Sequence, residues 1–130
     1  MASKRQKVLD KDRFSIMVKS LDKCFVCLSD YHVQKHEVFH GVSNRAKSIE
    51  DGLVIPLCDY HHNGSNVGIH HNKKFEDDMK REAEICWIDE YCSISETPQE
   101  KIDDFINRYH ENLLDVDNEN DLEVLQRLGK

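Results

Sequence analysis

The chain has 130 residues, 38% hydrophobic and 33% charged, with a net charge of −7. That supports one domain spanning 1–130 with a modest core and a charged surface, and is too short for two ordinary domains. The longest apolar runs, such as LVIPL, fall far below the roughly 18 residues that span a bilayer, and MASKRQKVLDKDR lacks the apolar stretch of a signal peptide, so an intracellular, soluble protein is expected.

The acidic total argues against a nucleic-acid binder only if it is taken as an average. Residues 1–75 carry 12 Lys and Arg against 8 Asp and Glu, whereas residues 76–130 carry 6 against 17. The basic excess travels with the histidines and most of the cysteines, and the acidic half reads as a solvated helical surface or a site for a protein partner.

In chain order, RFSIMVKS, residues 13–20, is rich in strand formers and predicts a short strand leading into the tight turn CFVC. YHVQKHEVFHG, residues 31–41, predicts a second strand ending in a loop. In SNRAKSIEDG, Ser43 can cap a short helical turn and Gly52 can end it. LVIPLC, residues 53–58, predicts a buried strand, with Pro56 placing it at an edge or a sheet exit. DYHHNGSN then fits a short helix weakened by Gly64.

Asn72 can cap a longer helix through KKFEDDMKREAEICWIDEYC, whose apolar residues recur at helical spacing, Trp87 among them as a core anchor. TPQE announces another helix: Thr97 stands at the cap, Pro98 at the first helical position and Glu100 three residues past the cap. The acidic tail 115–130, with leucines at helical spacing, is either frayed or docked. Its DVDNEND lacks the glycine and glutamate of a calcium loop.

Five cysteines, an odd number in a reducing compartment, point to metal ligation or core thiols. Cys24 and Cys27 form a CxxC pair, and Cys58 with His61 a CxxH pair. Two-residue spacing lets both members of a pair face one ion from a single turn, so these four predict one tetrahedral structural zinc. Cys86 and Cys92 have no partner at ligand spacing and read as core or boundary thiols.

Seven of the eight histidines lie between residues 32 and 71, more than zinc uses. With His61 on zinc, His62 points about 100° away, and Asn66, four residues later on its helical face, can join it on a second ion, near His36 and Glu37. A hard divalent ion such as Mg²⁺ with few protein ligands suits phosphate substrates, and a neighbouring imidazole or carboxylate can deprotonate water.

A CxxC knuckle, a strand bearing HE, a loop, a strand ending in LC and a helix opening with HH together resemble the HNH, or ββα-metal, nuclease family over about residues 13–75. HEVFHG, NRAKSIEDGLVIPLC, YHHNGSN and GIHHN are similar to small bacteriophage and prophage members. The resemblance implies an α+β fold: a zinc-stapled ββα-metal core, C-terminal helices over about 73–114, and the acidic tail. It implies a DNA endonuclease in the cytoplasm of a bacterial host, with Mg²⁺ or Mn²⁺ held by His62, Asn66 and one of the HE pair.

The family's strand pair is a ligand followed by the base histidine, so strict alignment makes His36 the ligand. An imidazole is better matched than a carboxylate to accept a proton at neutral pH, so His36 as base with Glu37 on the ion is preferred. The family's middle asparagine is replaced by Leu53, leaving Asn44 or Asp51 to brace the loop. Arg45 and Lys47 are candidates for phosphate contacts, and His70 for an approach to the scissile phosphate. The competing reading is a non-catalytic zinc module binding nucleic acid or protein through a degenerate site.

Overall fold

The computed structural model describes residues 13–130, so the N-terminal stretch read for a signal peptide lies outside the described residues, Arg13 excepted. The fold is α+β, with one two-stranded antiparallel sheet and five α-helices among the described residues. Two compact units divide the chain at residues 76 and 77, within the long helix Lys73–Tyr91. Among the described residues no helix is long and apolar enough to cross a membrane.

In the first unit, residues 13–20 form bends and coil instead of the expected strand. The Ser15 hydroxyl accepts from the amides of Met17 and Val18, and the Ile16 amide bonds to the Gly52 carbonyl at 2.9 Å. Local side-chain bonds here displace the ladder that strand formers favour. The CFVC turn forms as its sequence implies, with the Leu28 amide returning to the Cys24 carbonyl and the Cys24 amide to Ser29.

Strand β1, Val33–Glu37, pairs antiparallel with β2, Val54–Cys58, in a register that sets Val33 opposite Cys58 and Glu37 opposite Val54. Pro56 is tolerated because this sheet has no third strand to demand its missing N–H; its carbonyl accepts from the Phe25 amide, tying the CFVC turn to β2. Helix α1, Asn44–Asp51, lies in the connection. Ser43 occupies its N-cap position without making a side-chain cap bond.

Gly52 ends α1 with φ 79°, returning its amide to Ser48. A Cβ there would lie 2.7 Å from the Phe14 ring, so both the backbone angle and the packing require glycine. Ser48, fully buried, donates to the Phe39 carbonyl and accepts from its amide, pinning α1 to the end of the first strand. Phe39, Ile49, Leu53, Ile55, Leu57 and Ile69 supply the core of this unit.

Helix α2, Asp59–Asn63, starts directly after β2 with Cys58 as its N-cap residue, and stops at Gly64. A 3₁₀ turn, Ile69–His71, follows, and the Asn72 side chain accepts from the Phe75 amide, capping helix α3, Lys73–Tyr91.

The second unit contains the remainder of α3 with α4, Pro98–Tyr109, and α5, Glu119–Arg127. Both halves of the Thr97–Glu100 capping box are made. The tail is docked: Asn118 caps α5 by accepting from Asp121, whose carboxylate binds Arg81 of α3. Trp87 packs edge-on against Phe105, which stacks on Tyr109. Lys101 and Glu84 are buried beside this apolar packing. Lys101 donates to the Leu125 carbonyl, while Glu84 accepts from the Leu113 amide through Oε1 and has no partner for Oε2.

Candidate metal centres

Cys24 and Cys27 sit on the turn before β1, Cys58 closes β2, and His61 follows one helical turn later on α2. The antiparallel pairing and the bond from Phe25 to Pro56 bring these two local pairs together. Cys58 Sγ lies 3.3 Å from His61 Nδ1 and 3.8 Å from Cys27 Sγ, and Cys24 Sγ lies 3.6 Å from the same imidazole nitrogen. For Zn–S near 2.3 Å, a tetrahedron has S–S edges of about 3.8 Å and S–N edges of about 3.5 Å. All four donor atoms lie within 4.8 Å of one another, and the set can hold a metal ion such as zinc.

The two thiols of the CxxC pair differ in acidity. Burial opposes ionisation of Cys24, yet bonds from the backbone of Cys58, Cys27 and Val26 outweigh it and bring the thiol down to about 6. Cys27 is favoured by the Ser29 amide, but burial and the neighbouring Cys24 and Cys58 hold it above its ordinary value.

A second cluster gathers around the next residue of α2. His62 Nε2 faces His70 Nε2 of the 3₁₀ turn at 2.9 Å. The His36 ring of β1 lies with its centroid 5.2 Å from that of His62 and 5.1 Å from that of His70. One donor nitrogen from each of the three falls within the same 4.8 Å limit, so this set too has the geometry of a possible ion site. His36 is buried, and its Nε2 has no hydrogen-bond partner.

Burial first, and then the neighbouring His62, His70 and His40, push His36 down to about 3. His62 is lowered by burial and by His70, against the opposing pull of Glu37 and Asp59. Both imidazoles are therefore neutral near pH 7, the form that ligates a metal or accepts a proton. They line an open cavity of about 1000 Å³, together with Arg13, Glu37, His40 and Arg45.

Of the residues singled out in the sequence, the fold brings together His36, Glu37, Arg45, His62 and His70. Glu37 Oε1 is engaged by Arg13 Nη2 at 3.2 Å and by Arg45 Nε at 2.5 Å. Asn44 begins α1, and Lys47 lies half-buried on it, outside the cavity lining.

Asn66 does not continue the helical face of His62. Helix α2 ends at Asn63, Gly64 turns extended, and Asn66 stands exposed in the following turn with φ 64°, outside the cavity lining. Its carbonyl accepts from the Asn72 side chain.

Two participants escaped the sequence reading. Arg13 stands far along the chain from Glu37, with no local pattern to link them. His40, whose ring is 6.1 Å from those of His36 and His70, contacts Glu76 at 2.8 Å; its four-residue spacing from His36 was the available signal.

In the second unit Cys92, Glu96 and Asp104 also converge. Asp104, exposed and hydrogen-bonded to Glu96, rises to about 6 while Glu96 falls. Burial pushes the Cys92 thiol up to about 12, in keeping with a core thiol.

No family model, curated protein or solved structure gave a significant match to this chain.

Proposed function

We propose that the chain is a metal-dependent DNA endonuclease of the ββα-metal type, hydrolysing phosphodiester bonds in the cytoplasm of a bacterial host and encoded by a phage or prophage. The observation that carries this reading is the convergence of His36, His62 and His70 on one open cavity, each from a different element and none required by the neighbouring Cys₃His set. The strand–strand–helix order of β1, β2 and α2 supports it further.

In this reading Cys24, Cys27, Cys58 and His61 hold zinc as a closed, four-ligand structural site. His62 and His70 hold the second divalent ion, Mg²⁺ or Mn²⁺, which when bound stabilises charge on the phosphate and the leaving oxygen. His36 takes the proton of the attacking water, because its Nε2 has no competing hydrogen bond among the described residues. Glu37, engaged by two guanidinium groups, is not needed as the base.

Nicking of supercoiled plasmid with Mg²⁺ or Mn²⁺ tests the proposal, with His36→Ala beside the unsubstituted protein. Metal-dependent nicking that the substitution lowers by about 10²-fold or more is expected. Equal inactivity of the two proteins under every metal would leave the zinc-stapled interaction module as the better reading.

A further inference from the structure

The least expected group on the cavity wall is a three-residue ion network. Arg13 and Arg45 reach the same oxygen of Glu37 from opposite directions in sequence, one preceding the CxxC turn and the other on α1. Glu37 and Arg13 are largely buried, with side chains 8% and 9% exposed, whereas Arg45 is 52% exposed. Arg13, Lys35 and Arg45 give the cavity lining three basic side chains, with Glu37 as its carboxylate.

This local excess stands in a chain whose net charge is −7. Arg45, half exposed, can meet an arriving anion from solvent. Guanidinium groups fit phosphate oxygens through two parallel N–H bonds, provided that the fork is held in place.

We propose that Arg13 and Arg45 form a phosphate seat for the nucleic-acid backbone and that Glu37 is its positioning residue, not a ligand of the ion. The seat adjoins His36, His62 and His70 on the cavity wall, and this assignment rests on the nuclease reading for its substrate class. Glu37 fixes the two forks before substrate arrives, and Arg45, the exposed member, makes the first contact with a phosphate.

The test is binding of a short DNA duplex to the full-length zinc-loaded protein carrying His36→Ala, without added Mg²⁺ or Mn²⁺, across a salt series. Adding Arg45→Ala should lower the log–log salt slope by about one and weaken binding to every sequence alike. Arg13→Lys keeps the charge but loses the fork, so affinity should fall with the slope unchanged. Glu37→Gln should also weaken binding without lowering the slope, an effect that loss of a metal ligand would not produce in the absence of the ion.

With His36 intact, the Mg²⁺ concentration giving half-maximal nicking should be unchanged by Glu37→Gln. A rise of about tenfold or more would make Glu37 a ligand and overturn its assignment as a positioning residue. Unaltered affinity and slope in Arg45→Ala, or no salt-dependent DNA binding at all, would overturn the seat whatever the nicking assay shows. Inactivity of the unsubstituted protein with these binding effects intact would instead count against the nuclease reading alone.

Discussion

His61 and His62 are adjacent on one short helix, yet they enter clusters built on opposite principles. The first combines three sulfurs with one imidazole, three of its donor pairs 3.3 to 3.8 Å apart, and these four donors would close the coordination sphere of a bound zinc. The second combines three imidazoles, one with an orphaned buried nitrogen, on the wall of a cavity of about 1000 Å³. Under the proposed function, what separates a staple from a reactive site is the number of ligands and the access left to a further molecule, more than the density of metal-binding side chains.

Breaking the staple should have the largest effect. Cys58→Ser removes a sulfur from the end of β2 and the start of α2, so zinc should be lost together with the ordered first unit. Structural zinc contributes on the order of 10 kcal/mol to folding in small domains. Zinc content near one per chain before substitution and near zero after it, with collapse of amide-exchange protection in β1 and β2, is the expected result. A zinc-free protein with unchanged protection would remove the distinction between the clusters.

His62→Ala should break the other cluster and leave the staple intact. Nicking should fall by about 10²-fold or more, while zinc content stays near one per chain and unfolding shifts by no more than about 1 kcal/mol. Loss of zinc in this variant would mean that the two clusters are one cooperative site.

Much of the contrast was legible because its parts are local. CxxC and CxxH each place two donors within a turn, so the distance between the pairs in sequence does not obscure them; the Thr97 capping box is legible for the same reason. The strand predicted at residues 13–20 failed because Ser15 bonds locally and Ile16 bonds to Gly52, an alternative that β-propensity does not register. Arg13 was missed because its bond to Glu37 depends on how the chain returns over β1. Asn66 was misplaced because helical periodicity was extended through Gly64, where α2 had already ended.

A pH-dependent background must be separated from both candidate metal clusters, and Glu84 supplies one in the second unit. Burial raises its carboxyl to about 7 from an ordinary 4.5, assisted by Asp121 and Glu111 and opposed by the Leu113 amide and Arg81. Because the folded pKa is the higher, the contribution of the bound proton to stability is full below the ordinary value and is lost as pH rises through about 7. The loss across that window is of order 3 kcal/mol. Glu84→Gln keeps an acceptor for the Leu113 amide and should flatten this part of the profile, measured by urea unfolding at about pH 5 and about pH 8. An unchanged slope would assign the pH dependence to other groups.

The smallest effect sharpens the membership of the open cluster. Asn66 holds a left-handed backbone angle of 64° in an exposed turn, a conformation that asparagine tolerates and glycine adopts freely. Asn66→Gly therefore removes the side-chain amide while preserving the turn, a cleaner deletion than alanine, which would strain it. If His70 and His62 hold the ion, this variant should nick with the Mg²⁺ dependence of the unsubstituted protein and change stability by no more than about 0.5 kcal/mol. A loss approaching that of His62→Ala, with the turn intact, would place Asn66 on the ion and move His70 from ligand to neighbour. The same plasmid assay thus decides which residue completes the site begun by His62.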